Sequence, residues 1–395
     1  MVNMIKLIKS TFYKEAETKG RLVRFIQSAR QLSFGEECKK FERGFARYQG
    51  RKHCVFVNSG SSANLTLIQA LLNLGMIKRG DRVGFSAITW STNIMPLLQL
   101  GLKVAPIDIE LDTLNISSRT LEKCLGKYSI KMLFLTNALG FCGDVDEIQR
   151  ICREKNILLF EDNCESLGTV YQGKKLGNFG IASTYSFYVG HHMSTIEGGV
   201  VCTDNKELAQ MLKLVRAHGW DRNLDAPEQG LLKKKFRITS DFYDRFTFYD
   251  VGYNLRPTEI QGFIGNYQLR YINEITRKRN KNFLTLAASL YAQQDKYYPI
   301  HFDHVDFVSN FAFPLICRSK AIRDALIKKC KGKIEIRPIV GGDMTKQPFF
   351  RKYVGSSAYL PTGSNASLVH AQGLYFGNNP ELTREEIKTL LEVFK

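Results

Sequence analysis

Short apolar runs alternate with stretches of helical periodicity between His53 and Asp204. The runs predict buried strands at residues 53–58, 82–86, 102–108, 131–136 and 157–161. Helices are predicted between them at residues 63–74, 117–125 and 146–155. Alternating βα units form a mainly parallel sheet with helices on both faces, and ligands of such sheets bind at the carboxyl ends of the strands. The pattern therefore predicts an α/β fold with its site at those ends.

The second part of the chain has a different pattern. Arg256-Pro257-Thr258-Glu259 predicts a helix start that leads into a long connecting helix. After about residue 275 the sequence predicts strands at 311–316 and 334–339 and helices at 320–329 and 383–394. We therefore expect a large domain over residues 1–270 and a smaller C-terminal α+β domain over residues 271–395.

Composition narrows the classes of function. The net charge of +18 is spread along the 395 residues, and no helix-turn-helix, zinc-finger or RNA-binding pattern accompanies it, so nucleic acid is not the expected partner. A positive field also suits a small anionic substrate. No apolar run is long enough to span a membrane. The nine cysteines lack the close spacing of a metal site, which predicts free thiols in the cytoplasm.

Polar residues follow several of the predicted strands. Asn58-Ser59-Gly60-Ser61-Ser62 opens a helix, where free N–H groups and a glycine can accept an anion; taken alone, it is also an ordinary serine-capped helix. Trp90 lies just past the next strand, although a tryptophan is more often a core residue. Asp162 and Glu165 follow the run that ends near residue 160, where an acid points into the ligand crevice or caps a turn.

The segment Ser186-Phe187-Tyr188-Val189-Gly190-His191-His192-Met193-Ser194-Thr195-Ile196-Glu197-Gly198-Gly199 carries a family resemblance. It resembles the cofactor-lysine segment of the sugar-nucleotide aminotransferases of the DegT/DnrJ/StrS type. In that family a lysine holds pyridoxal phosphate (PLP) as a Schiff base, and here His191 takes its position. An imidazole cannot form a Schiff base but moves protons near pH 7. The resemblance extends from about residue 20 to 390 and implies aspartate aminotransferase fold type I with a mainly parallel seven-stranded sheet.

The resemblance also implies roles for the other residues. Gly60, Ser61 and Ser186 match positions that contact the cofactor phosphate, and Trp90 matches an aromatic ring that stacks on the pyridine ring. Asp162 matches the partner of the pyridinium nitrogen, which makes the ring an electron sink. Two further positions are expected from the same comparison: Glu165, on the O3′ side of the cofactor, and Asn254, in the phosphate site of a neighbouring subunit. A homodimer with shared active sites is the expected assembly.

A histidine in the lysine position is typical of a dehydratase branch of the family. One type acts on a CDP-linked sugar and carries an iron–sulfur cluster, whose ligands are usually four cysteines. Only Cys317 and Cys330 follow Cys202 here, so we expect no cluster. The iron-free type acts on GDP-4-keto-6-deoxy-D-mannose in the colitose route to O-antigen lipopolysaccharide. The resemblance to that type implies a lyase that removes the C3 hydroxyl with pyridoxamine phosphate (PMP), bound non-covalently and regenerated by L-glutamate.

The expected substrate contacts are His218, Arg222 and Arg337, because they match regions that line the family's sugar-nucleotide site, and arginine suits diphosphate recognition. Each could equally be a surface residue. The sequence leaves other functions open: an aminotransferase that uses another lysine such as Lys174 or Lys175, a 3-dehydratase for another nucleotide-linked 4-keto-6-deoxy sugar, or a non-catalytic PLP-fold binding protein.

Overall fold

The computed structural model describes residues 4–240, 242–355 and 358–395. Its strands are β1 (His53–Val57), β2 (Arg82–Ser86), β3 (Lys103–Ile107), β4 (Met132–Thr136), β5 (Leu158–Asp162), β6 (Val170–Tyr171), β7 (Lys174–Lys175), β8 (Ala182–Ser186), β9 (Gly199–Thr203), β10 (Tyr297–Tyr298), β11 (Ala312–Cys317), β12 (Ile336–Arg337) and β13 (Gly373–Gly377).

Its α-helices are α1 (Glu15–Ser28), α2 (Glu36–Gln49), α3 (Gly60–Asn73), α4 (Met95–Gln99), α5 (Ser118–Leu125), α6 (Val145–Glu154), α7 (Lys206–Arg216), α8 (Ala226–Lys235), α9 (Glu259–Leu269), α10 (Ile272–Leu290), α11 (Lys320–Cys330), α12 (Pro348–Tyr353), α13 (Asn365–Gln372) and α14 (Arg384–Phe394). In the parts of the chain that are described, no helix has the length and apolar character needed to cross a bilayer.

Seven strands form the central sheet in the order β1-β9-β8-β5-β4-β2-β3. Only β9 runs antiparallel to its neighbours, so the sheet is mainly parallel and the predicted fold type I architecture is confirmed. The five strands predicted from apolar runs are confirmed within one or two residues. The apolar-run criterion missed β8, because its buried sequence Ala-Ser-Thr-Tyr-Ser is polar.

The C-terminal part contains a four-stranded sheet in the order β10-β11-β13-β12, whose paired strands are antiparallel. The predicted strand at 334–339 shortens to β12, and the predicted helices are α11 and α14. The predicted helix start is confirmed at Thr258, whose hydroxyl accepts from the Gln261 N–H; the chain then breaks between α9 and α10. A boundary at residue 270 falls in that break, and the division into two domains stays a prediction.

The largest apolar core is continuous across that boundary. It joins residues beside the central sheet, such as Ile88 and Leu133, to residues of the second sheet, such as Phe313 and Leu374. Burial of a single leucine or phenylalanine stabilises the fold by about 1.5–3 kcal/mol, so this shared core holds the two sheets in a fixed relation. The carboxyl ends of β1, β2, β4, β5 and β8 face the groove that results, and the polar motifs follow those ends.

Candidate active site

A cavity of about 270 Å³ lies where these strand ends meet the C-terminal sheet. Eight of the eleven residues predicted for the site line it: Gly60, Ser61, Trp90, Asp162, Glu165, Ser186, His191 and Arg337. The C-terminal part contributes Phe311, Arg337, Val340 and Tyr375. The cavity is thus assembled from distant segments by the fold.

The first turn of α3 forms one wall of the cavity. The Ser59 hydroxyl caps the helix and accepts from the Ser62 N–H at 3.0 Å, so the backbone donors of Gly60 and Ser61 lie at the positive end of the helix dipole. A Cβ atom on Gly60 would come within 2.6 Å of the Ser186 Cβ atom, which is closer than side chains tolerate. Only glycine lets the helix start pack against Ser186, and this close packing forms an anion cradle.

Asp162 ends β5 with its carboxylate almost fully buried. Oδ2 accepts from the side-chain amide of Asn93 at 2.8 Å and from that of Asn64 at 3.2 Å, and Oδ1 accepts from the Cys164 N–H at 2.9 Å. Three hydrogen-bond donors thus satisfy this buried carboxyl and fix its orientation. Neither asparagine was predicted as a site residue. Their bonds to Asp162 depend on how α3 and the loop after β2 pack against β5. The local sequence does not reveal that packing.

Trp90 leaves 56% of its surface exposed although it lies on the cavity wall. An indole with more than half of its surface exposed offers a flat apolar face to a ring-shaped ligand. Trp90 therefore lines the same cavity as Asp162 and is not a core residue.

His191 also lines the cavity, from the turn between β8 and β9. Its Nδ1 atom is 2.6 Å from the carbonyl oxygen of Cys164. A carbonyl can only accept, so Nδ1 carries the hydrogen and, in the neutral ring, Nε2 holds the free electron pair. Burial lowers the pKa of His191, and the Arg279 charge adds to this, while the Cys164 bond and Asp162 oppose it. The imidazole is therefore a neutral base at pH 7.

His192 is placed differently. It is 3% exposed, does not line the cavity, and donates from Nε2 to the Ser309 carbonyl at 3.1 Å. Burial holds its pKa well below the usual value. His191 therefore faces the cavity, and His192 packs behind it.

Glu165 and Tyr375 add two neutral proton donors to the cavity. Burial raises the pKa of Glu165 to about 8, partly offset by its hydrogen bond from the Leu139 N–H, and the nearby Asp162 raises it further. Burial also raises the pKa of Tyr375 to about 12. At pH 7 the carboxyl of Glu165 is therefore largely protonated.

The structure places only one of the three predicted substrate contacts, Arg337, at the cavity. Arg337 lines the cavity and donates from Nη2 to Glu335 at 2.7 Å. His218 and Arg222 are exposed and lie outside the cavity, and the Arg222 guanidinium lies over the Trp220 ring, 4.7 Å from its centre. Asn254 is also exposed, and its side chain accepts from Arg256. Within a single chain, the structure therefore leaves His218, Arg222 and Asn254 outside the cavity.

The sequence profile of the family described as "DegT/DnrJ/EryC1/StrS aminotransferase family" matches residues 13–395. The chain belongs to this family. It is 37% identical over 377 residues to the GDP-4-keto-6-deoxy-D-mannose 3-dehydratase of Yersinia pseudotuberculosis, covering 94% of this chain and 93% of that protein.

Two solved structures are similar over essentially the whole chain. The Escherichia coli GDP-4-keto-6-deoxy-D-mannose 3-dehydratase with bound hydrated PLP has a TM-score of 0.89 and 32% identity, with complete coverage of both chains. A GDP-4-keto-6-deoxymannose 3-dehydratase with a trapped PLP–glutamate geminal diamine has a TM-score of 0.88 and 33% identity, covering 99% of this chain and 100% of that one.

The residues present fit a PLP-type cofactor. The cradle at Gly60 and Ser186 suits a phosphate, the exposed face of Trp90 suits a planar ring, and the buried carboxylate of Asp162 suits a protonated ring nitrogen. No lysine lines the cavity in the described residues. Lys175, one of the alternatives, donates instead to the Tyr48 carbonyl.

Proposed function

We propose that this protein removes the C3 hydroxyl of GDP-4-keto-6-deoxy-D-mannose and yields GDP-4-keto-3,6-dideoxy-D-mannose. The cofactor is PMP, held without a covalent bond, and L-glutamate regenerates it. The similarity to relatives of that name over more than nine tenths of both chains supports the substrate, and the trapped glutamate adduct in a similar structure supports the donor.

The observation that carries the proposal is the geometry of His191. Its Nδ1–H group is engaged by the Cys164 carbonyl, and Nε2 has no partner among the described residues. Nε2 is therefore the atom that accepts a proton and then returns it to the departing C3 hydroxyl. One neutral imidazole can act first as base and then as acid, because its ordinary pKa lies near neutrality.

When bound, PMP supplies an amine for the C4 ketone and a ring that accepts electrons. Asp162 would pair with the ring nitrogen, and Gly60, Ser61 and Ser186 would bind the phosphate. Glu165 would be a further proton donor in the cavity. Arg337 faces the cavity from the second sheet, where a guanidinium binds the diphosphate of the substrate or the carboxylate of glutamate.

The atoms and electrons of the reaction balance over one cycle. The sugar loses its C3 hydroxyl as water, and hydrolysis at C4 restores the ketone and releases ammonia. The two electrons that reduce the sugar come from glutamate, which leaves as 2-oxoglutarate. A turnover assay should therefore yield one 2-oxoglutarate and one ammonia for each deoxygenated sugar.

We also propose that the protein is a homodimer with shared active sites. Asn254, His218 and Arg222 lie outside the cavity of their own chain and are exposed, as expected of residues that serve the site of a partner. Exposed aromatic side chains surround them, including Phe246 and Phe248 at 66% and 58% exposure. An apolar patch of this kind is typical of a surface that a second subunit covers. The nine free thiols favour a cytoplasmic location.

Incubation with PLP, L-glutamate and the GDP-linked sugar tests the proposal. Mass spectrometry should show a product lighter by one oxygen atom, together with equimolar ammonia and 2-oxoglutarate. CDP- and dTDP-linked 4-keto-6-deoxy sugars are the matched alternatives, and faster turnover of either would reassign the nucleotide. The absence of a deoxygenated product with every sugar would overturn the dehydratase assignment.

Borohydride reduction of the PLP-loaded protein tests the non-covalent mode of binding. Peptide mapping should find no lysine with a reduced pyridoxyl group, because the cavity presents His191 at the expected position. A lysine labelled at high occupancy would instead support an aminotransferase that uses another residue.

A further inference from the structure

Arg279 is a buried cation without a carboxylate partner. It lies on α10, is 4% exposed, and takes part in no ion pair within the described residues. Burial lowers its pKa to about 9, so the guanidinium is still charged at pH 7. Burial of a charge without an opposite charge is unfavourable, and an apolar side chain of similar volume would be more stable at such a position. The position therefore depends on the charge or the hydrogen-bond donors of the guanidinium.

The guanidinium is bonded to three main-chain carbonyls from three segments. Nη2 donates to the His191 carbonyl at 3.1 Å, and Nη1 donates to the Phe311 carbonyl at 3.3 Å and to the Asn378 carbonyl. Phe311 and Asn378 flank β11 and β13 of the second sheet. The rigid fork of one arginine thus ties the turn that carries His191 to the C-terminal sheet.

The same contacts fix the ring of His191. Phe311, whose carbonyl Arg279 engages, packs its ring against the imidazole with 5.2 Å between centres. On the other side Nδ1 is held by the Cys164 carbonyl. A shift of the His191 main chain would therefore disturb both contacts and move Nε2.

We propose that Arg279 is a positioning residue for His191: its guanidinium fixes the main chain of the turn and thereby the place of the imidazole. The charge of Arg279 also disfavours the imidazolium form of His191. This inference rests on the proposed function of His191 as the base of the reaction.

The charged and titratable groups around His191 set the sign of the electrostatic effect. Burial disfavours the imidazolium, Asp162 favours it, and Arg279 disfavours it. The remaining titratable neighbours are Tyr188, whose ring edge meets the imidazole 6.2 Å away, the buried His192, and the pair Cys164 and Glu165 on the facing turn. Loss of the Arg279 charge should therefore raise the pKa of His191.

The test measures the His191 pKa by NMR in the full-length, cofactor-free protein labelled at histidine. The resonance is assigned by its loss in His191→Asn. In Arg279→Met the His191 pKa should rise above the wild-type value, and amide hydrogen exchange should quicken across residues 188–194. In the loaded enzyme, kcat should fall more than KM changes, and the acidic limb of the pH–rate profile should move to higher pH.

Arg279→Lys separates charge from geometry. Lysine restores the charge but not the fork of donors, so the His191 pKa should return to the wild-type value while exchange across the turn stays fast. It also keeps the proposal testable if Arg279→Met does not fold. Wild-type exchange in Arg279→Lys would show that the fork does not hold the turn.

Arg51→Met is the matched control. Arg51 also donates to two backbone carbonyls, those of Gly177 and Gly180, and pairs with Asp204, but none of these partners belongs to the turn that carries His191. Its loss should lower stability and leave the His191 pKa and exchange unchanged. An unchanged His191 pKa in folded Arg279→Met, or the same change in Arg51→Met, would overturn the proposal. Failure of the wild-type protein to dehydrate the sugar would remove the proposed function and leave these measurements valid.

Discussion

The Nδ1 atom of His191 lies 2.6 Å from the carbonyl oxygen of Cys164, two residues beyond the buried carboxylate of Asp162. This bond connects the turn that carries His191 to the turn that follows β5. It assigns the hydrogen to Nδ1 and leaves Nε2 free to move a proton. The last residue of β5 thus provides the buried carboxylate of the cavity, and the turn after β5 provides the carbonyl that orients His191.

His191→Asn should lower the rate of C3 dehydration by about 10²–10⁴-fold, because the general base is lost. His192→Asn should reduce stability with a much smaller effect on rate, since that ring packs behind the cavity. The measurement is the rate of sugar deoxygenation at saturating substrate. An inactive His192→Asn beside an active His191→Asn would exchange the roles of the two histidines.

Asn93→Ala should weaken binding of PLP by roughly 10–100-fold, because a hydrogen bond to a charged group contributes about 1.5–3 kcal/mol. It removes the 2.8 Å amide bond to Asp162 and leaves only Asn64 on that oxygen. Fluorescence titration of the cofactor-free protein measures the affinity. Asn266→Ala is the control, since Asn266 also donates to a carboxylate, that of Glu37, away from the cavity. Equal losses in both variants would argue against a specific role for Asn93.

The stability of the cofactor-free protein should depend on the titration of Glu165. Its pKa is raised to about 8 by burial, so the folded state favours the protonated carboxyl. The associated stability is fully present below the unfolded-state pKa and is lost as the pH rises towards 8. Glu165→Gln should therefore melt higher than the wild type at pH 8, by roughly 2 °C, with the gap closing towards pH 4.5. A difference in melting temperature that is constant with pH would contradict this.

A heterodimer tests whether Asn254 serves the neighbouring site. If it does, one His191→Asn chain and one Asn254→Ala chain place both lesions in one site and leave the other intact. Doubly tagged heterodimers should then recover up to about half of the wild-type activity. If both residues serve the same site of one chain, each heterodimer site carries a lesion and the activity stays low.

Local signals were sufficient for residues that directly follow a strand. Asp162 directly follows a predicted strand of a parallel sheet, whose carboxyl ends meet at one edge, so its place was predictable. Ser186 was predicted from the family resemblance, because its strand β8 is polar and contains no apolar run. Asn93 and Arg279 act through contacts between segments far apart in the chain, and a single sequence contains no pattern for such contacts. His218 was predicted at the substrate site from resemblance alone, and within a single chain it lies outside the cavity.

The product of the first turnover tests the proposed dehydration most directly. The protein is loaded with one equivalent of PMP per site, freed of excess cofactor and glutamate, and mixed with GDP-4-keto-6-deoxy-D-mannose. Mass spectrometry should show one deoxygenated 4-keto sugar and one ammonia per site, with PLP left on the protein. A sugar that carries an amine at C4 and retains its C3 hydroxyl would contradict the account, because it would make the protein an aminotransferase.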